Sequence, residues 1–266
     1  MVFEPLLFGE LLALGLLIGY FAGLLGIGGG MLIVPFLVFV LTAKGFPEAH
    51  IVKTAVATSL ATICFTSLSS VRAHHQQGAV LWPVVLVLAP GIIVGAIIGA
   101  RLAVALPAQA MTILFALFVS FSATQMLLNK KPKPSRVLPG SMGMFGMGNV
   151  IGALSSMVGA GGAFVSVPFM TWCNVRIHKA VATSAALGFP IALAGTVGYI
   201  SAGWGLPQMP TGALGYLYWP GLVCISLGSM LTAPFGARAA HRMDIAPLKK
   251  VFAVFLYLIA IYFLVR

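Results

Sequence analysis

Along the chain, apolar runs of about 20 residues are separated by short polar or glycine-rich interruptions. These runs fall approximately at residues 6–26, 31–43, 52–71, 81–102 and 108–128, and again at 140–159, 163–173, 180–202, 216–237 and 247–265. A hydrocarbon core about 30 Å thick takes roughly 20 helical residues to cross, so the pattern predicts membrane-spanning helices. The short alternating segments of an outer-membrane barrel are missing. The expected fold is an all-α polytopic membrane protein with about five apolar segments on each side of residues 129–139. That stretch is polar, rich in Lys and Pro, and unable to form a span.

The apolar pattern recurs. Shifted by 133, Gly15, Gly19, Gly23, Gly26, Gly28, Gly29 and Pro35 fall on Gly148, Gly152, Ser156, Gly159, Gly161, Gly162 and Pro168. At an offset of 125, Ala55-Val56-Ala57-Thr58-Ser59 meets Ala180-Val181-Ala182-Thr183-Ser184. At 137, Trp82-Pro83, Gly91 and Gly99-Ala100-Arg101 meet Trp219-Pro220, Gly228 and Gly236-Ala237-Arg238. Three blocks in the same order predict two homologous halves: an N-terminal repeat (1–128), a basic cytoplasmic linker (129–139) and a C-terminal repeat (140–266).

Composition agrees with membrane residence: 60% of residues are hydrophobic and 7% charged, and the mean hydropathy is +1.07. The first apolar run lacks a basic flank and contains Glu10, so it is expected to remain as a span rather than be removed as a signal. The net charge of +11 is explained by basic loops, not by nucleic-acid binding. With the linker cytoplasmic, alternation puts eleven basic residues inside and leaves Lys44, Lys53, Arg101 and Arg266 outside. The loop after Arg101 is otherwise uncharged, whereas its counterpart after Arg238 is basic, so the halves are expected to be inverted relative to each other. A parallel repeat follows instead if the segment count shifts by one.

The runs after the two glycine breaks are too short to cross a bilayer untilted, which places the breaks inside the membrane, as broken or re-entrant helices. Non-helical backbone at that depth must line protein or a water-filled cavity. Each helix restart offers unpaired N–H groups and a positive dipole end, a setting for an oxyanion. The candidate substrate-binding residues are therefore Gly28, Gly29 and Gly30 with Gly161, Gly162 and Ala163, joined by the hydroxyls of Thr58, Ser59, Thr183 and Ser184. Arg101 and Arg238 are secondary candidates, since their place at matching span ends suits interfacial anchoring. Gly15, Gly19 and Gly23, and likewise Gly91, Gly95 and Gly99, have the four-residue spacing of close helix packing.

Other chemistry is not visible. Cys64, Cys173 and Cys224 are far apart and without CxxC or Cys/His pairing, so neither a disulfide framework nor a metal site is expected. Neither glycine run completes GxGxxG, and no cofactor or catalytic residue is suggested, so the protein is not read as an enzyme. No carboxylate lies at a span centre, which removes the usual proton relay of a pump. The expected partners are a small anionic substrate and the lipid bilayer; homodimerisation is compatible with the pattern.

The G-I-G-G-G-x-L-x-V-P run and its counterpart G-A-G-G-A-x-V-x-V-P, the Ala-Val-Ala-Thr-Ser blocks, the Trp-Pro…Gly-Ala-Arg spans and the basic linker resemble the TauE/SafE family of sulfite and organosulfonate exporters, in the 4-toluene sulfonate uptake permease-like superfamily. The resemblance implies a multi-pass inner-membrane secondary transporter exporting a small sulfur-containing anion by alternating access. Ala163 replaces the third glycine of the motif in the second half. The residues themselves reach only a small-anion transporter. Export of another organic anion, uptake, and a non-transporting membrane scaffold stay open at this level.

Overall fold

The computed structural model describes residues 5–25, 30–128, 135–206, 209, 212–240 and 245–265. Among them the chain forms ten α-helices and one hairpin. Five helices precede the linker: α1 (Pro5–Leu25), α2 (Gly30–Ala43), α3 (Glu48–Gln76), α4 (Trp82–Ala105) and α5 (Ala108–Leu128). Five follow it: α6 (Ser141–Val158), α7 (Ala163–Trp172), α8 (Ile177–Ala202), α9 (Trp219–Ala240) and α10 (Ile245–Val265). α3, α4, α5 and α8 are long and apolar enough to cross a membrane. With ten and fourteen residues, α7 and α2 reach about 15 and 21 Å, short of a 30 Å core.

Each long helix finds its main partner across the linker. α1 packs on α9, α4 on α6, α3 on α8 and α5 on α10. The first two pairs are made by small residues: a Cβ on Gly15 would lie 2.8 Å from Ile225 Cα, and one on Gly148 would lie 2.6 Å from Leu88 O. Gly19 faces Ser229, Gly152 faces Ile92, and Gly91, Gly95 and Gly99 face Phe145, Asn149 and Ala153. In both pairs the residue numbers rise together, so each pair runs parallel. The packing expected of Gly15, Gly19, Gly91, Gly95 and Gly99 is thus what the helices use, because their backbones approach too closely for any side chain. Gly23 has no described side-chain surroundings.

The apolar segment expected over 216–237 does not begin as helix: α9 starts at Trp219, and Ala213–Leu214 and Leu217–Tyr218 pair as an antiparallel hairpin. Its Tyr216, Leu217 and Tyr218 are buried, and Gly203 at the end of α8 lies against Tyr216. Lys53, counted among the outside charges, lies one turn inside α3 and is buried. α3 runs past its apolar stretch at both ends; Glu48 and Ala49 are exposed, and burial begins at Ile51.

Candidate functional site

The second glycine break is fully described. α6 ends at Val158 and α7 starts at Ala163, and between them Gly159 (φ 71°) and Gly162 (φ 79°) are left-handed, which only glycine adopts without strain. The N–H groups of Gly159 and Ala160 close onto Ser155 O. Those of Val165 and Ser166 close onto Gly162 O at 3.1 and 2.9 Å. Among the described residues the N–H groups from Gly161 to Phe164 make no hydrogen bond. They are the orphan donors of the α7 N-terminus, and Gly161, Ala163 and Phe164 are only partly buried, so this end is reachable.

The first break spans Gly26 to Gly30, of which Gly30 is described, while Gly28 and Gly29 fall outside the described residues. Its far side is described: Gly30 opens α2 and sits against the second break, where a Cβ would come 2.6 Å from Gly159 O and 3.4 Å from Ala160 Cα. Ser59 joins the two, its hydroxyl reaching Gly159 O at 2.9 Å and Gly30 O at 3.3 Å. Gly30, the described end of the first break, therefore meets the second break inside the bundle.

The remaining hydroxyls divide by role. Ser184 pairs with Ser166 at 2.6 Å, and Ser166 lies 2.9 Å from Gly162 O, so the second break also has a serine contact to its backbone. Thr58 donates to Thr54 O at 2.7 Å and accepts from the N–H of Tyr218 at 3.0 Å. Thr183 accepts from the N–H of Leu81, also at 3.0 Å. Leu81 and Tyr218 directly precede the Trp-Pro starts of α4 and α9, so the two threonines satisfy equivalent backbone donors across the linker. Their oxygens hold helix starts rather than facing the breaks. Arg101 and Arg238 are exposed, the latter over the Phe235 ring, and the structure does not bring them to the breaks.

Ser155 was not a candidate on sequence, since one serine in an apolar span carries no signal. It is 2% exposed, its hydroxyl lacks a partner, and it lies 3.2 Å from the position of a Cβ on Gly162. An unpaired hydroxyl thus stands beside the orphan N–H groups. Among the described residues no group of His, Cys, Asp or Glu could hold a metal, and the three cysteines are free.

Among the described residues, ten helices, four of them long apolar candidate spans, define a polytopic membrane protein. The chain belongs to the TauE/SafE family: residues 11–263 match the family described as "Sulfite exporter TauE/SafE". A "Probable membrane transporter protein" of Haemophilus influenzae is 38% identical over 252 residues, covering 94% of this chain and 95% of that one. "Probable membrane transporter protein YdhB" of Bacillus subtilis is 29% identical over 90% of this chain and 92% of its own. "Probable membrane transporter protein MJ0441" of Methanocaldococcus jannaschii is 26% identical over 86% and 82%. No solved structure matches the chain. Family and relatives make this a membrane transporter.

Proposed function

We propose that the protein is a secondary transporter that exports a small sulfur-containing anion, sulfite or an organosulfonate, across the inner membrane by alternating access. In this reading 1–128 and 140–266 are inverted halves joined by the cytoplasmic linker 129–139. The observation that carries it is the meeting of the two breaks, with Gly30 against Gly159 and Ala160 and Ser59 bonded to both. A site shared by two mobile halves must lie where both contribute backbone.

The orphan N–H groups from Gly161 to Phe164 would bind the anion, with Gly28 and Gly29 as their counterparts in the first half. Ser59 and Ser166 engage the break carbonyls, Ser184 steadies Ser166, and Ser155 can donate to the anion directly. Thr58 would donate to the anion only by releasing Thr54 O, whereas Thr183 can keep accepting the N–H of Leu81 while its own hydrogen donates.

A two-fold relation between the halves is supported by which ends meet: α3 bonds the residue before α9, and α8 bonds the residue before α4. Contacts also match under the repeat offsets, Gly15 to Ile225 and Gly148 to Leu88. Export of an anion down an inside-negative potential gains about 2.3 kcal/mol per charge per 100 mV, so no built-in carboxylate relay is required.

Proteoliposome flux of sulfite, sulfoacetate, taurine and thiosulfate under an imposed potential tests the reading. Potential-dependent flux of a sulfur anion is expected; flux of carboxylates alone would replace the substrate, and no flux of any anion would reject transport at this site. Cysteines placed at Ala105 and Lys250 should label from opposite faces of the membrane, and labelling from one face would reject the inversion. Native thiols interfere little, because Cys173 and Cys224 are buried and Cys64 partly so.

A further inference from the structure

We propose a second anion station at the start of α3, formed by the Lys53 ammonium, the Thr54 hydroxyl and His50 Nδ1 beside Tyr216. The inference rests on the reading of the protein as an anion transporter, and it adds a binding place distinct from the glycine breaks. Lys53 is 8% exposed, and its Nζ donates to Val104 O at 2.7 Å. An ammonium has three donors. Among the described residues no carboxylate pairs with it, the ion pair there being Lys44 with Glu10. A buried charge that lacks a counter-charge is strongly disfavoured unless something supplies one.

Two further groups next to it are unsatisfied. Thr54 is 0% exposed, and its hydroxyl has no partner. His50 Nδ1 is buried, also without a partner, and its ring lies 5.7 Å from that of Tyr216 in the hairpin. On a helix, His50 neighbours both Lys53 and Thr54, at spacings of three and four, so the three share one surface. An ammonium and a hydroxyl donate, and imidazole Nδ1 donates in one of its tautomers. A set able to act wholly as donors, one of them cationic, selects an oxyanion over a cation or a neutral apolar molecule.

The station is placed for passage. Ser59, which bonds both breaks, follows Thr54 by five residues, roughly 8 Å along α3. The corresponding residues of the other half, His178 and Lys179, are exposed. The station is therefore one-sided, at the end of the bundle where α3 begins and α4 ends. An anion held there lies between that face and the breaks.

Thermal unfolding of the purified protein in detergent, titrated with sulfate and with sulfite, tests the proposal. Parent and Gly161→Val protein should gain stability as either anion is added, since a ligand that binds only the folded state raises Tm. Lys53→Gln, which can still donate to Val104 O, and Thr54→Val should each weaken apparent affinity about tenfold or more, while Thr54→Ser restores it. Undiminished stabilisation of Lys53→Gln and Thr54→Val overturns the station, and so does a parent that neither anion stabilises. If Lys53→Gln does not fold, the contrast between Thr54→Val and Thr54→Ser decides alone. Loss in Gly161→Val with full retention in both α3 variants rejects the station and leaves the breaks as the site. Stabilisation that depends on Lys53 in a protein that moves no sulfur anion keeps the station and rejects the export reading.

Discussion

The first turns of α3 and of α8 share the Ala-Val-Ala-Thr-Ser block yet sit in different surroundings. In both, the threonine accepts the N–H of the residue before a Trp-Pro helix start, Tyr218 at Thr58 and Leu81 at Thr183. One turn earlier the likeness ends. Lys53 and Thr54 are buried, whereas His178 and Lys179 are exposed. The difference comes from the connectors: residues 77–81 pass directly from α3 to α4, while residues 203–218 carry a hairpin that tucks Tyr216 and Tyr218 against the start of α3. The repeated block thus fixes the hydrogen bond at the core, and the non-repeated connector decides how polar the buried turn next to it becomes.

The largest expected effect strikes what the two regions share, the glycine seams that hold α1 to α9 and α4 to α6. A Cβ at Gly95 collides with Asn149 backbone, and one at Gly19 with Ser229 backbone. Neither backbone can retreat without parting the helices. Gly95→Val and Gly19→Val should each lose the monodisperse species in size-exclusion chromatography. Normal yield and Tm in both would show that these seams are loose, and that equivalence between the regions does not begin there.

A smaller loss is expected from the threonines. Thr58→Val strands the buried N–H of Tyr218, at a cost of about 1–3 kcal/mol. Thr183→Val should cost less, because Leu81 is only partly buried and water can replace the hydroxyl. Equal shifts in Tm would mean that the hairpin shields Tyr218 no better than solvent-facing chain shields Leu81.

Serines should separate the two sides by less again. Ser59→Ala removes the hydroxyl bonded to both breaks, about 1 kcal/mol, whereas Ser184→Ala leaves Ser166 still able to donate to Gly162 O. Denaturation of the two variants side by side checks the order. A reductive-methylation time course read by mass spectrometry should modify Lys179 well before Lys53 while the protein stays folded; similar rates would remove the burial contrast.

The apolar segments and the packing glycines were legible because both are local patterns: a run of about 20 residues, and small residues every fourth position. The second break was legible for a similar reason, since the glycine pair at Gly161 and Gly162 has few uses in a span, and Gly162 is indeed left-handed. What the threonines bind was not. Thr58 meets an N–H 160 positions away, and no spacing along the chain reports such a distance. Nor was the burial of Lys53 legible, because it depends on Val104, 51 positions later in the chain. Ser155 was missed because its importance lies in a bond it lacks.

The exchange of partners between helices on either side of the linker has a consequence for synthesis. Gly15 meets Ile225, about two hundred residues later in the chain, so at 5–20 residues per second α1 waits roughly 10–40 s for the surface it fits. During that interval lipid tails or the insertion machinery must occupy its small-residue groove. α4 waits far less for α6, since Gly95 meets Asn149. A ribosome stalled before α9 would therefore leave α1 as a smooth, unpartnered helix in the bilayer, open to whichever foreign segment offers a matching groove.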